Sequence, residues 1–321
     1  MSEQEIIAQY FSHHQFCDNV DIGIGDDAAV VTPPINSKLV ITTDTLNEGV
    51  HFHPNCLPEH IGHKSLAVNL SDLAAMGATP LWATMNLSVP TISHDWFKNF
   101  SQGFFALASQ HNVKLIGGDL VRGPLSISIQ VIGYLSSKKV LTRAKAETDD
   151  LIFVSGTVGD AALGLKIQDS LKDLDLSQED KDYVAKRFNT PEPRINLALG
   201  LVKFANAAID ISDGLLIDLQ RILSSSNVGA VINIDQLPLS KVGQKLIKSE
   251  KDWSLPLAGG DDYEIIFTAN KRYTNEINQL SSAVGCPISV IGKIVQDKHL
   301  KLLLRGNLFT FPNKLGFEHF A

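Results

Sequence analysis

The sequence has little cysteine, no excess of positive charge and no long apolar run, and each shortage removes a class of protein. Cys17, Cys56 and Cys286 are its three cysteines, with no C-x-x-C pair among them. Neither a disulfide framework nor a zinc cluster is implied. Lysine and arginine number 28 against 35 aspartates and glutamates, a formal net charge of −7. A protein that coats nucleic acid would carry a basic face instead, so no nucleic-acid partner is expected. No apolar stretch approaches the roughly 18 residues of a membrane span. The opening Met1-Ser2-Glu3-Gln4-Glu5 is acidic where a signal peptide is basic. The expectation is a soluble, reduced, cytoplasmic chain with no membrane partner. Familiar catalytic signatures are missing as well. There is no GxxxxGK[ST], no GxSxG and no HExxH, and Gly23-Ile24-Gly25 lacks the third glycine of a dinucleotide fingerprint.

What is present is ordinary globular material: 44% hydrophobic and 20% charged residues in 321, enough to bury a core without staples. Ser2 and Glu5 fit a capping box that opens a short helix. Strands are expected over 38–44 and 81–89, and helices over 58–76 and 96–110. A short strand over 113–116 is expected to stop at Gly117-Gly118. Over 125–135, Leu125, Ile127, Ile129 and Val131 alternate with Ser126, Ser128 and Gln130, the period of a half-buried strand. The polar stretch around 136–150 reads as a linker. Beyond it, helices and strands alternate: strand 151–154, a helix from 160, helices near 178–188 and 194–206, strand 208–212, helix 214–225, strand 230–234, a helix near 240–249, and strands 263–268 and 288–293 with a helix between. The reading is a mixed α/β chain of the α+β class, in two domains, 1–140 and 141–321.

Aspartate falls in unusual places. Asp26 and Asp27 follow Gly23-Ile24-Gly25, Asp44 closes Thr42-Thr43-Asp44, and Asp119 follows Gly117-Gly118. Asp210 and Asp213 flank Ile211-Ser212, and Asp261 and Asp262 follow Gly259-Gly260. Any one of these is ordinary turn chemistry, in which the carboxylate caps backbone N–H groups and glycine takes positive φ. Eight of them at five turns and strand ends suggest more, since strand ends of α/β sheets are where ligands bind. Asp72 lies instead within the helix expected over 58–76, on its solvated face or paired with a cation. Oxygen donors suit Mg²⁺ or Mn²⁺. Carboxylates drawn to one point repel one another unless divalent cations sit between them, so together these residues suggest a multi-magnesium site for polyphosphate. Arg143 could reach phosphate oxygens or be a solvated linker residue. His51 and His53 in Gly49-Val50-His51-Phe52-His53 could ligate a metal or contact a phosphate.

Taken in order, Gly23-Ile24-Gly25-Asp26-Asp27-Ala28-Ala29, Thr42-Thr43-Asp44-Thr45, His51-Phe52 and Asn69-Leu70-Ser71-Asp72-Leu73-Ala74-Ala75-Met76-Gly77 resemble the thiamine-monophosphate kinase family. So do Ile116-Gly117-Gly118-Asp119, Leu141-Thr142-Arg143, Ile209-Asp210-Ile211-Ser212-Asp213-Gly214, Gly259-Gly260-Asp261-Asp262-Tyr263-Glu264 and Gly316-Phe317-Glu318-His319-Phe320. The match spans essentially the whole chain. That family belongs to a superfamily with aminoimidazole ribonucleotide synthetase and selenophosphate synthetase. The resemblance implies direct transfer of the ATP γ-phosphoryl group to thiamine monophosphate, with no phosphoenzyme and no catalytic residue in the usual sense. It implies Mg²⁺ held by Asp27, Thr42, Thr43, Asp44, Asp72, Asp119, Asp210 and Asp213. ATP would meet Gly118, Asp119, Arg143 and Ser212, and the thiamine substrate His51, Asp261 and Phe317. It also implies an aminoimidazole ribonucleotide synthetase-like fold: an N-terminal domain binding ATP and magnesium, whose strands form a β-barrel shared in a homodimer, and a C-terminal α/β domain completing the nucleotide and substrate site.

One residue departs from the pattern. The family commonly has Gly-Gly-Glu-Asp-Tyr-Glu, and Asp261 stands here in the glutamate position, so its reach is shorter by one methylene and contact through a bridging water is an option. Phe317 offers a ring that could stack on a cationic or aromatic ligand, or could serve C-terminal packing. Two other readings are carried: a sister ATP-dependent enzyme of the superfamily, and a non-catalytic protein that binds Mg-nucleotide. For the selenophosphate branch, Cys17 is the one cysteine upstream of the first glycine turn, and its neighbours lack glycine.

Overall fold

The computed structural model describes residues 2–12, 19–136, 139–169, 176–311 and 314–318. Cys17, His13, His14, His319 and Phe320 lie outside the described residues. The chain divides into two compact units, Met1–Leu73 with Ala78–Lys138, and Ala74–Gly77 with Lys139–Ala321.

The first unit runs α1 (Glu3–Tyr10), β1 (Val20–Ile22), β2 (Val30–Val31), β3 (Lys38–Asn47), α2 (Pro58–Ala75), β4 (Thr79–Val89), α3 (His94–Gln110), β5 (Lys114–Arg122) and β6 (Ser126–Leu135). The capping box at Ser2 and Glu5 forms as expected. Strands β3, β6, β4 and β5 make a four-stranded sheet in that order, with β4 and β5 parallel and the other pairs antiparallel. The alternation in β6 is realised: Ile127, Ile129 and Val131 are buried, and the serines and Gln130 face the other way. Helices α2 and α3 meet at Gly62 and Gly103, where an added Cβ would fall 2.1 Å from the Phe100 carbonyl oxygen and 1.9 Å from that of Glu59. Among the described residues the sheet is open, with β3 and β5 at its edges, and forms no closed barrel. The strand expected to stop at Gly117-Gly118 continues as β5 to Arg122, because pairing with β4 resumes after a register shift and carries the backbone past both glycines.

The second unit contains β7 (Leu151–Ser155), α4 (Asp160–Asp169), α5 (Gln178–Asn189), α6 (Ile195–Leu201), β8 (Ala205–Asp210), α7 (Leu215–Ser226), β9 (Gly229–Asn233), α8 (Lys241–Leu246), α9 (Ser254–Ala258), β10 (Ile265–Ala269), α10 (Thr274–Val284), β11 (Ile288–Val295), β12 (Leu300–Leu304) and β13 (Asn307–Phe309). Its sheet has the order β13-β12-β9-β11-β7-β10-β8. Only the β12–β9 pair is parallel; the rest are antiparallel. The helix expected over 194–206 ends at Leu201, and β8 begins at Ala205. Alanine-rich sequence there favours helix locally, but pairing along β10 overrides that preference. The core gathers Ile152, Val154, Ile209, Leu219, Ile232 and Ile266.

A buried ion cluster ties this unit together. Glu264, 0% exposed, sits just before β10. Its carboxylate accepts from Arg187 Nη2 at 2.9 Å, Arg194 Nε at 2.7 Å, Arg194 Nη2 at 2.6 Å and the Ser155 hydroxyl at 2.6 Å. Burial alone would raise the Glu264 pKa; the hydrogen bonds and charge of Arg194, with the charge of Arg187, outweigh it and hold Glu264 below its ordinary value of 4.5. Its contribution to stability is therefore full above the unfolded value and is lost as pH falls through the lower folded value. Replacing Glu264 with Ala leaves two arginines buried without their acid and should cost about 3–5 kcal/mol. Urea unfolding of Glu264→Ala measures this, and a loss under about 1 kcal/mol would contradict the assigned role.

Candidate active site

In the first unit, β3 carries its residues on alternating faces. Thr42 and Asp44 are half-buried on one side, and Thr43 is exposed on the other. Helix α2 meets the first side, where the Thr42 hydroxyl donates to the Asp72 carboxylate. Asp72 is thus on the packed face of the helix, partnered by a hydroxyl. One turn before it, Asn69 is fully buried and donates to the Ser65 carbonyl, and its Oδ1 has no hydrogen-bond partner among the described residues. Asp44 lies inside β3, three residues before its end, so its expected position at a strand end is corrected: antiparallel pairing with β6 extends the strand to Asn47.

The loop after β3 holds His51. Its Nδ1 accepts from the Asn47 N–H at 3.0 Å, so the neutral ring carries its proton on Nε2. The His51 carbonyl accepts from Lys64 Nζ at 3.1 Å. Lys64 belongs to α2 and is only 2% exposed. A buried cation is costly unless it holds a partner, and here its bond to the His51 carbonyl fixes the backbone of the histidine loop.

Two glycine-acid segments line one cavity of about 590 Å³ within this unit. Gly25, Asp26 and Asp27 form one wall, and Gly117, Gly118 and Asp119 another, while Ile7 and Phe11 contribute apolar surface from the α1 end. Gly118 has φ +149, and a Cβ there would fall 1.9 Å from the Met85 carbonyl oxygen. Only glycine fits that close approach, and it turns Asp119 outward to an exposed position. Asp119 is inside β5 and not at a strand end, and β6 and β4 separate β5 from β3. Asp27 and Asp119 therefore line one cavity, and Thr42 meets Asp72 at another point.

In the second unit, three distant segments close on one turn. Asp210 ends β8, and Ile211, Ser212, Asp213 and Gly214 lead into α7. The Asp261 N–H donates to the Ser212 carbonyl at 2.8 Å, the Tyr263 N–H to the Ile211 carbonyl at 2.8 Å, and the Phe317 N–H to the Asp213 carbonyl at 3.0 Å. The Ile211 N–H donates in turn to the Glu264 carbonyl at 2.8 Å. Asp210, Ser212, Asp213, Asp261 and Phe317 are thereby brought together. Asp261 and Tyr263 have φ of +67 and +50, uncommon for side-chain-bearing residues and held by these bonds. The Tyr263 hydroxyl donates to Asp261 Oδ1 at 3.0 Å, so one oxygen of the shorter acid is already engaged. The Phe317 ring is exposed. Arg143 is not drawn to this turn through its backbone: its carbonyl accepts from the Ser226 hydroxyl at 2.8 Å, at the far end of α7, and its side chain is exposed.

Beneath these lie Asp262, which the sequence groups with the candidate acids and the structure buries, and Asp218 and Arg221, which sequence reasoning missed. Asp262 is buried and accepts from the N–H groups of Gly159 and Ala161 at the start of α4. Burial pushes its pKa up to about 7, against the pull of Arg187 and those N–H groups. Asp218, on the first turn of α7, is fully buried, and its Oδ2 accepts from the N–H groups of Ser212, Asp213 and Gly214, each at 3.1 Å. Arg221 reaches both Asp218 and Asp213. The i, i+3 spacing of Asp218 and Arg221 after Asp213-Gly214 was the available signal. Among the described residues, no group of three or more His, Cys, Asp and Glu is placed to hold a metal ion unaided. Within the first unit, taken by itself, Asp27 and Asp119 line one cavity and Thr42 meets Asp72; within the second, Asp210, Ser212, Asp213 and Asp261 share one turn.

Residues 25–135 match the family model of the AIR synthase related protein, N-terminal domain, and residues 147–305 that of its C-terminal domain. Curated proteins named thiamine-monophosphate kinase are similar over nearly the full length. That of Buchnera aphidicola from Acyrthosiphon pisum is 41% identical, with 99% of each chain covered, and that of Escherichia coli K12 is 40% identical, covering 99% of this chain and 98% of the relative. The crystal structure of thiamine-monophosphate kinase from Stenotrophomonas maltophilia K279a is similar with a TM-score of 0.84 and 43% identity, covering 93% of this chain and 94% of that one. A structure described as AaThiL complexed with AMPPCP and TMP is similar with a TM-score of 0.77 and 30% identity, covering 92% of each chain.

Proposed function

The chain belongs to the thiamine-monophosphate kinase family, and we propose that it transfers the γ-phosphoryl group of ATP to the phosphate of thiamine monophosphate, giving thiamine diphosphate and ADP. The observation that carries this reading is the cavity of about 590 Å³ where the Gly25-Asp26-Asp27 turn meets Gly117-Gly118-Asp119, a volume in the usual range for a small-molecule site. The relative whose structure is described with AMPPCP and TMP bound supports ATP as the donor.

The donor set fits magnesium. The groups are carboxylate and hydroxyl oxygens, free of thiolate and imidazole, and Mg²⁺ takes one or two carboxylates and completes its shell with water and phosphate. The Thr42–Asp72 pair and the carboxylates of Asp27 and Asp119 on one cavity would meet that need without a carboxylate cage. In the first unit, Asp27, Thr42, Thr43, Asp44, Asp72 and Asp119 would hold the ions, with Gly118 and Asp119 against ATP. In the second, Asp210 and Asp213 would do so, with Ser212 and Arg143 against ATP. Bound magnesium neutralises phosphate charge, which is the main obstacle when donor and acceptor are both anions.

The chain's own residues then bind and orient. Gly118 lets β5 pack closely on Met85 of β4 while leaving Asp119 exposed at the cavity. His51, with its proton on Nε2, offers a donor to an anionic substrate. Phe317 presents an exposed ring for a cationic or aromatic ring system. Asp261, whose Oδ1 accepts from the Tyr263 hydroxyl, would meet the substrate directly or through a water. No general base is needed, because the attacking phosphate oxygen is already ionised near neutral pH. We place the ATP, magnesium and dimer functions in residues 1–140, with 141–321 completing the nucleotide and substrate site. The protein would work in the cytoplasm as a homodimer whose first units share a barrel. The open edge strand β3, with Leu39 and Ile41 exposed, supports that reading. Among the described residues no helix is long and apolar enough to cross a membrane.

Incubation with Mg-ATP and thiamine monophosphate should give ADP and thiamine diphosphate in equal amounts, with little free phosphate. ATP consumed without thiamine diphosphate would move the assignment to a sister enzyme, and no consumption despite tight Mg-ATP binding would make it a binding protein. Asp72→Asn should lower kcat about a hundredfold or more, with the melting temperature unchanged. Near wild-type activity of this variant at limiting Mg²⁺ would sink the metal assignment.

A further inference from the structure

Helix α7 opens on a turn whose three N–H groups, those of Ser212, Asp213 and Gly214, all point at Oδ2 of Asp218. Such a helix start is ordinarily ready to take an external anion; here the chain fills it with its own carboxylate. The other oxygen, Oδ1, accepts from Arg221 Nη1 at 2.5 Å. Arg221 Nη2 donates to Asp213 Oδ2 at 2.6 Å. One guanidinium therefore joins two carboxylates of different standing: Asp218 is 0% exposed and immobilised by three backbone bonds, while Asp213 is 29% exposed. Among the described residues, no hydrogen bond goes to Asp213 Oδ1.

We propose that Arg221, itself anchored by Asp218, is a positioning residue that grips Asp213 by one carboxylate oxygen and directs the other toward a divalent cation. The inference rests on the reading of Asp213 as a metal ligand. The order of restraint is explicit. Backbone N–H groups fix Asp218, Asp218 fixes one arm of the guanidinium, and the other arm fixes Asp213. A planar fork can hold two carboxylates in a set relation, and an ammonium on a flexible stem cannot. Arg221→Lys therefore keeps the charge and removes the geometry.

The test is Mn²⁺ binding to the full-length, nucleotide-free protein, read as loss of the free-ion paramagnetic resonance signal, with Asp213→Asn as reference. Arg221→Lys should weaken the Mn²⁺ affinity that depends on Asp213 by about tenfold, the scale on which partners of metal ligands act. The Mg²⁺ concentration for half-maximal activity should rise in parallel. The KM for thiamine monophosphate and the melting temperature should stay as in the wild type, which a general loosening of the fold would not allow. Asp218→Asn keeps an acceptor for the three N–H groups and loses the ion pair with Arg221, so it should move Mn²⁺ binding in the same direction; it supplies the reading if Arg221→Lys proves unstable. If Asp213→Asn weakens Mn²⁺ binding and neither positioning variant does, the inference is overturned while Asp213 remains a ligand. If Asp213→Asn itself leaves Mn²⁺ binding unchanged, the ligand assignment fails and the inference falls with it.

Discussion

Burying Glu264 between Arg187 and Arg194 is the commitment on which the second unit's site depends. The three charged side chains come from different places: the residue before β10, helix α5 and the start of α6. An acid with no exposure is tolerable only when its lone pairs are filled, and all four bonds to Glu264 are short. The backbone of that residue also receives the Ile211 N–H. The ion cluster and the turn over 211–214 are thus joined through one residue. The strained loop that presents Asp261 runs directly from this anchor.

Around that anchor, the chain uses its acids in two ways. Asp218, Asp262 and Glu264 are structural: each is buried and spends its oxygens on backbone N–H groups or guanidinium. Asp27, Asp119, Asp213 and Asp261 are at least partly exposed. The filled opening of α7 sharpens this division. With that cradle taken by Asp218, the turn over 212–214 has no vacant set of N–H groups for a phosphate, and its outward feature is a carboxylate. A carboxylate surface can hold an anionic nucleotide only with cations between, which agrees with a net charge of −7 and with the missing Gly-Lys-Ser/Thr loop.

Much of this was legible in the sequence, and what was not has physical causes. The capping box at Ser2, the alternation of β6 and the long helix α2 follow local rules, and they formed close to the expected bounds. The extension of β5 past Gly118 and the conversion of 205–206 from helix to strand depend on pairing partners far along the chain, which a local pattern does not carry. Helices and strands do alternate after residue 150, and the direction of the strands, antiparallel in most pairs, was not legible because it is set by which strands become neighbours. For the site, aspartates next to glycine were visible as a group, and 210, 212, 213, 261 and 317 do meet. Lys64, Asp218 and Arg221 were hard to read for the same reason that they matter: each acts on a backbone or on another side chain, and beyond the i, i+3 spacing of Asp218 and Arg221 the sequence shows only ordinary charged residues on helices. Arg143 is the reverse case, a prominent motif residue whose backbone is tied to the far end of α7.

In the proposed reaction phosphate attacks phosphate directly, with the protein supplying orientation and cation sites and no nucleophile of its own. A single-turnover quench with γ-labelled ATP and thiamine monophosphate tests it. The label should appear in thiamine diphosphate at the rate at which ADP forms, with none on the protein at any time. Label trapped on the protein during turnover, or released as inorganic phosphate in place of thiamine diphosphate, would contradict it.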